Sequence, residues 1–203
     1  MTSRLLRLRY AVLLTTFLLP AHAALITFSS RAAFNSAAPG LATETFEAAP
    51  GGVTDCNGPL SSAAASACFP AGALLPGVSY NATPGIFQPN MVVLGANFPG
   101  VRNLSKVVGP NFFIDTFNVT FAMADAAGFD VYPGPVAGDV LISAFSPADM
   151  LLGSFLIPAP VGGTFFGLIN DAGLIGRINI SSLSPVPGAV SYTHLTLPTT
   201  PYV

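Results

Sequence analysis

The chain has 203 residues, 51% of them hydrophobic and only 8% charged, with a formal net charge of −2. Seven basic residues, three of them within the first nine positions, leave no basic stripe for nucleic acid and no polybasic patch for an anionic membrane. Two cysteines are too few for a four-cysteine metal site.

The chain opens "MTSRLLRLR", follows with the apolar run Tyr10–Leu19, and then reads "PAHA". A basic head, a short apolar body and an A-x-A site predict a secretory signal peptide over residues 1–23, cleaved between Ala23 and Ala24. A membrane anchor is the alternative, but the run is shorter than the ~20 residues a span requires. "ALITFSS" then predicts a short strand. "SRAAFNSAA" predicts one or two helical turns capped by Ser29 or Ser30. "ATETFE" alternates and predicts a second strand. Residues 48–77 are rich in Gly, Pro, Ala and Ser and predict an irregular insertion. They hold Cys56 and Cys68, and in an exported chain an even pair predicts a disulfide.

From Val78 the pattern becomes regular. "VSYNA", "NMVVLGANF", "NFFIDTFNVTFAMA", "AAGFDVYPG", "GDVLISAFS", "DMLLGSFLIP", "GGTFFGLIN" and "LIGRINISS" are strand-like runs separated by Gly and Pro breakers. Their spacing of roughly 8–12 residues is the signature of a sandwich or barrel. In "TFNVTF", Phe117, Val119 and Phe121 face one way and Thr116, Asn118 and Thr120 the other. In "RINIS", Ile178 and Ile180 oppose Arg177, Asn179 and Ser181. Such alternation predicts antiparallel sheets with one wet face. The expected fold is all-β, an antiparallel, jelly-roll-like β-sandwich with one short N-terminal helix, forming a single domain over residues 24–188.

The C-terminal stretch differs in composition. "AVSYTHLTLPT", Ala189 to Thr199, resembles one reading frame of a sequencing-library transposase adapter over eleven consecutive residues. Residues 189–203 are therefore read as adapter-derived, expected to be disordered, and set aside from fold reasoning. The expectation follows that the native chain is cut after Gly188. Between Ala24 and Gly188, four basic residues stand against nine acidic ones, a net charge of −5. Both histidines, His22 and His194, fall outside, and the segment has no Trp. Ser-His-Asp and Cys-His catalysis, His-ligated zinc and two-His iron sites are excluded for that segment.

Several short motifs carry a family resemblance. "ITFSSRAAF" (Ile26–Phe34) runs into "TFE" (Thr45–Glu47). "AGFD" (Ala127–Asp130), "MLLG" (Met150–Gly153), "FFGL" (Phe165–Leu168) and "IGRINI" (Ile175–Ile180) follow. In these the chain resembles the PEP-CTERM proteins, bacterial exported proteins sorted through a C-terminal Pro-Glu-Pro signal and processed by an exosortase. The resemblance covers about 120 residues and skips the cysteine insertion. It implies a fold, a partner in the sorting machinery and a surface or extracellular location, and it implies no catalytic residue. It also implies a Pro-Glu-Pro motif, an apolar helix and a basic tail after the domain. "SPVPG" (Ser184–Gly188) looks like the linker before them.

Glu47, Asp125, Asp130, Asp149 and Asp171 stand at strand ends or turns. No cofactor is expected as the leading reading, but carboxylates converging at a sandwich edge can bind calcium. The alternative is turn chemistry, because Asp bonds its own backbone there, and no D-x-D-x-D-G loop is present. Two carboxylates at a fixed separation could also hydrolyse glycosides, but no nucleophile–base pair is recognisable. The many Phe residues read as core. Arg102 and Lys106 in "VRNLSKVV" read as a solvated edge. Asn81, Asn103, Asn118 and Asn179 each open an N-x-S/T sequon. The favoured function is a non-enzymatic, surface-sorted protein of the cell envelope or exopolysaccharide matrix, structural or adhesive, with extracellular polysaccharide as partner. A calcium-dependent carbohydrate-binding module and a secreted hydrolase are the alternatives.

Overall fold

The computed structural model describes residues 25–112 and 115–183, together with the backbone of 192–197. The signal peptide expected over residues 1–23, the cleavage expected between Ala23 and Ala24, and the linker expected at Ser184–Gly188 fall outside the described residues. Strands β1 (Leu25–Phe28), β2 (Ala42–Glu44), β3 (Val53–Cys56), β6 (Met91–Leu94), β7 (Val107–Pro110), β9 (Ala126–Tyr132), β12 (Thr164–Asn170) and β14 (Tyr192–Leu197) form one sheet. Its order is β1-β12-β9-β14-β7-β6-β3, with β2 paired to β14. Strands β4 (Leu60–Ser61), β5 (Val78–Thr83), β8 (Thr116–Phe121), β10 (Gly138–Phe145), β11 (Leu151–Ala159) and β13 (Arg177–Ser182) form the second sheet, ordered β11-β10-β13-β8-β5-β4. All pairings are antiparallel, so the expected β-sandwich is what the chain builds.

Alternation decides what lies between the sheets. Phe117, Val119, Ile178 and Ile180 point inward and are fully buried, joined by Phe129, Val131, Ile142 and Leu168. The sheets meet through Phe155 of β11 and Phe166 of β12, with ring centres 5.4 Å apart. Tyr80 is fully buried at the other end, edge-on to Phe46 at 5.4 Å and stacked on Phe117 at 6.2 Å. Its hydroxyl has no hydrogen-bond partner among the described residues.

Burial first, and the nearby Glu44 carboxylate second, push the Tyr80 phenol well above its ordinary value of 10.0. Below that value both folded and unfolded chains hold the proton, and Tyr80 adds nothing to pH dependence. Above it the unfolded chain releases the proton first, so stability falls as pH rises. Urea midpoints are expected to be level from pH 7 to 9 and to decline above pH ~10. Tyr80→Phe should make that decline shallower; an unchanged decline would contradict this assignment.

One short helix, α1 (Arg31–Ala37), starts at Ser30, whose hydroxyl accepts the Ala33 N–H. The helix lies on the outer face of β9 and β12. Phe34 is its one buried residue. Its ring sits over Gly128 and Gly167, which face each other across the two strands. A Cβ on Gly128 would lie 2.6 Å from Phe34 Cε1, and one on Gly167 2.7 Å from Phe34 Cδ2. Phe28 and Phe165 flank the ring, each with centroids 5.7 Å away. Arg31 completes the cluster, with Nη2 2.8 Å from Asp130 Oδ2 and its guanidinium 4.6 Å from the Phe165 ring centre. "RAAF", "GFD" and "FFG", distant in sequence, are thus one helix-docking patch.

Two expectations need correction. Residues 48–77 are not wholly irregular. β3 extends the first sheet by pairing β6, β4 extends the second by pairing β5, and Cys56, Leu60, Cys68, Phe69 and Leu74 are buried in the shared core. At four and two residues, these strands are too short to carry a periodic signal among their Gly-, Ala- and Ser-rich neighbours. The expected Cys56–Cys68 disulfide is formed. The tail departs from the disorder expected of it, since Tyr192–Leu197 forms β14 against Gly128–Tyr132 of β9 and against β2. "YTHLTL" is β-branched and alternating, and such a segment readily pairs with an open strand edge whatever its origin. The rest of 189–203 lies outside the described residues.

Candidate functional site

The five carboxylates proposed for calcium do not come together. The Asp130 carboxylate is held by Arg31 on the outer face of the first sheet. Asp149, in the β10–β11 turn, is bonded through Oδ1 to Arg177 Nε at 3.0 Å and to Nη2. Glu47 Oε1 accepts the Lys106 N–H at 3.0 Å, and its Oε2 lies 3.7 Å from Lys106 Nζ. Asp125 and Asp171 belong to neighbouring turns, where the Asn170 N–H donates to the Asp125 carbonyl at 2.7 Å. Among the described residues no group of three or more His, Cys, Asp or Glu converges. Three of the five, Glu47, Asp130 and Asp149, carry a cationic partner.

Lys106 is also not a solvated edge. Its ammonium donates to the carbonyls of Glu47 at 2.9 Å and Ala49 at 2.7 Å, and ties the loop after β2 to the start of β7. Asn103 is fully buried and holds its loop by donating to the Gly95 and Ser105 carbonyls. Burial pushes the Tyr132 phenol up, Asp130 adds to the rise, and Arg31 opposes it.

The most organised polar surface is the outer face of the second sheet. Strand register aligns Asn81, Asn118, Asn179, Ser143 and Ser154 in one row across β5, β8, β13, β10 and β11. Four inter-strand spacings of ~4.8 Å make this row roughly 19 Å long. Asn179 Nδ2 donates to Asn118 Oδ1 at 2.9 Å and to Thr116 Oγ1 at 2.7 Å. Asn118 Nδ2 donates to Thr83 Oγ1 at 2.7 Å, and Ser181 Oγ donates to Asn179 Oδ1 at 3.0 Å. The Ser143 and Ser154 hydroxyls are 2.9 Å apart. Asn81 Oδ1 accepts from Asn90 Nδ2 at 3.3 Å, and Asn90 Oδ1 in turn accepts the Gly58 N–H at 2.7 Å.

Arg177 anchors one side of this row. It is opposite Thr120 on β8 and Phe145 on β10. Its guanidinium lies 3.8 Å from the Phe145 ring centre, and Nη1 donates to Asn118 Oδ1 at 3.0 Å. Between these groups lies a shallow groove of ≈ 370 Å³, lined by Asn81, Thr83, Asn118, Thr120, Asp149, Arg177 and Asn179. Three of the four asparagines noted as sequons sit here, on the outward positions of adjacent strands. An N-x-S/T triplet is itself an outward-facing polar pair at strand period, so three such triplets in strand-like runs were the available signal. Only the register shows that they line up.

Comparison with family models, with curated proteins and with solved structures finds no match.

Proposed function

We propose that this protein is an exported, non-enzymatic component of the cell envelope or the extracellular polysaccharide matrix, with a structural or adhesive role. Export is supported by the basic, apolar and A-x-A segments of residues 1–23, and by a disulfide, which suits an oxidising compartment. Passage through an exosortase rests on the PEP-CTERM-like motifs alone. The observation that carries the matrix role is the row of amides and hydroxyls from Asn81 to Ser154. Its members are held in place by bonds to one another and to Asn90, Thr83, Thr116 and Arg177, on the outward face of the sheet.

Expression in a Gram-negative host with fractionation tests this reading. The expected product begins at Ala24 by mass spectrometry and is recovered from the envelope or medium with Cys56 and Cys68 oxidised. It is expected to release no reducing sugar from the polysaccharides it contacts. Cytoplasmic protein that retains Met1, or measurable hydrolysis, would refute the reading.

A further inference from the structure

We propose that the groove between Asn81, Thr120 and Asp149 binds a neutral, hydroxyl-rich glycan chain, without calcium, along the row that leads to Ser154. The inference rests on the matrix reading above and assigns it a site and a ligand chemistry.

The unused hydrogen-bonding capacity of the groove specifies the ligand. Asn81 Nδ2 and the Thr120 hydroxyl have no partner among the described residues. Asp149 Oδ2 is likewise unused, since Arg177 takes only Oδ1. An amide N–H pair needs acceptors, and a carboxylate oxygen needs donors. A sugar hydroxyl supplies both from one atom, whereas a carboxylate or phosphate ligand supplies acceptors only. The charge balance agrees. The Arg177 guanidinium is already matched by Asp149, so an anionic sugar would have to displace a bonded carboxylate. Residues 24–188, with nine acids against four bases, repel a polyanion as a whole.

Preorganisation favours the same site. Asn118 is only 8% exposed and is fixed by bonds to Thr83, Asn179 and Arg177, so the groove floor is set before any ligand arrives. The length of the row suits an oligosaccharide stretch better than a single sugar. Phe145 is the aromatic ring beside the groove, and Arg177 covers it, so the groove recognises by hydrogen bonds instead of sugar stacking. Affinity for one short segment is therefore expected to be weak, and a polymeric probe is the right one.

Affinity gel electrophoresis tests this, with the protein run through gels containing dextran, mannan, galactan or xyloglucan, and alginate as the anionic probe. At least one neutral polysaccharide is expected to retard the protein, equally with and without EDTA, while alginate does not. Asn81→Ala, which removes the unused amide donor, should weaken that retardation about tenfold, the scale of a lost hydrogen-bonding anchor. Thr120→Trp, at an exposed position where the fold should tolerate bulk, should block the groove and abolish it with the thermal melt unchanged. Retardation by alginate alone, dependence on EDTA, no retardation by any neutral probe, or full binding by Thr120→Trp would each overturn the site. Loss of glycan binding with export intact defeats only this inference. Glycan binding by a protein retained in the cytoplasm defeats the matrix reading instead.

Discussion

Phe34→Ala is expected to lower unfolding stability by about 3–5 kcal/mol, the cost of removing a fully buried aromatic side chain. The ring is 0% exposed and is the one buried residue of α1. Nothing on the helix can replace it, because a single seven-residue helix contributes little stability without its docked face. The glycines beneath explain why the ring fits. Gly128 and Gly167 leave a flat patch where any Cβ would meet the Phe34 and Phe165 rings within 3.1 Å. Gly128→Ala or Gly167→Ala alone should therefore destabilise by about 1–3 kcal/mol through overpacking. Combined with Phe34→Ala, the glycine substitution should cost less, because the nearer of the two clashing rings is gone and Phe165 can shift into the space it leaves. Urea unfolding followed by circular dichroism measures the cycle, which is expected to show a coupling of more than about 1 kcal/mol. A Phe34→Ala cost below 1 kcal/mol, or strict additivity, would contradict this packing.

Losing the disulfide is the second large effect. Cys56 and Cys68 are separated by 12 residues, and closing a loop of that size stabilises by about 3 kcal/mol on chain-entropy grounds. The loop between them includes β4, so the bond ties the last strand of one sheet to a segment that also supplies the other. Without it, β4 is a two-residue strand held by its pairing with β5 and the burial of Leu60. The Cys56→Ala, Cys68→Ala double variant should therefore lose about 3 kcal/mol and gain protease cleavage between residues 57 and 67. Equal stability of the double variant and the oxidised protein would mean that packing alone holds the segment.

Where the chain's own chemistry is local, the sequence was informative. The Ser30 cap, the two-residue period of β8 and β13 and the pairing of two cysteines each depend on a few neighbouring residues. The carboxylates show the opposite case. Asp130 reads as a turn acid or a calcium ligand, and its actual partner, Arg31, stands 99 positions away. Asp149 and Arg177 are separated by 28 residues and meet only because the β10–β11 turn folds over β13. Likewise "RAAF", "GFD" and "FFG" are distant in sequence and meet only when the helix, β9 and β12 are assembled. The asparagine row was hidden in a similar way. Each N-x-S/T triplet was visible, but facing direction follows from alternation and alignment follows from register, and register depends on the whole sheet.

The most direct test of the outer face as the functional surface is a ¹⁵N-resolved titration of the side-chain amides. The probe is an oligosaccharide cut from whichever neutral polysaccharide retards the protein. Resonances of Asn81, Asn118 and Asn179 are expected to shift together along one binding curve. Asn103, buried in its own loop, should stay fixed. Saturable binding that leaves the three row amides unmoved, or that moves Asn103 instead, would contradict the account.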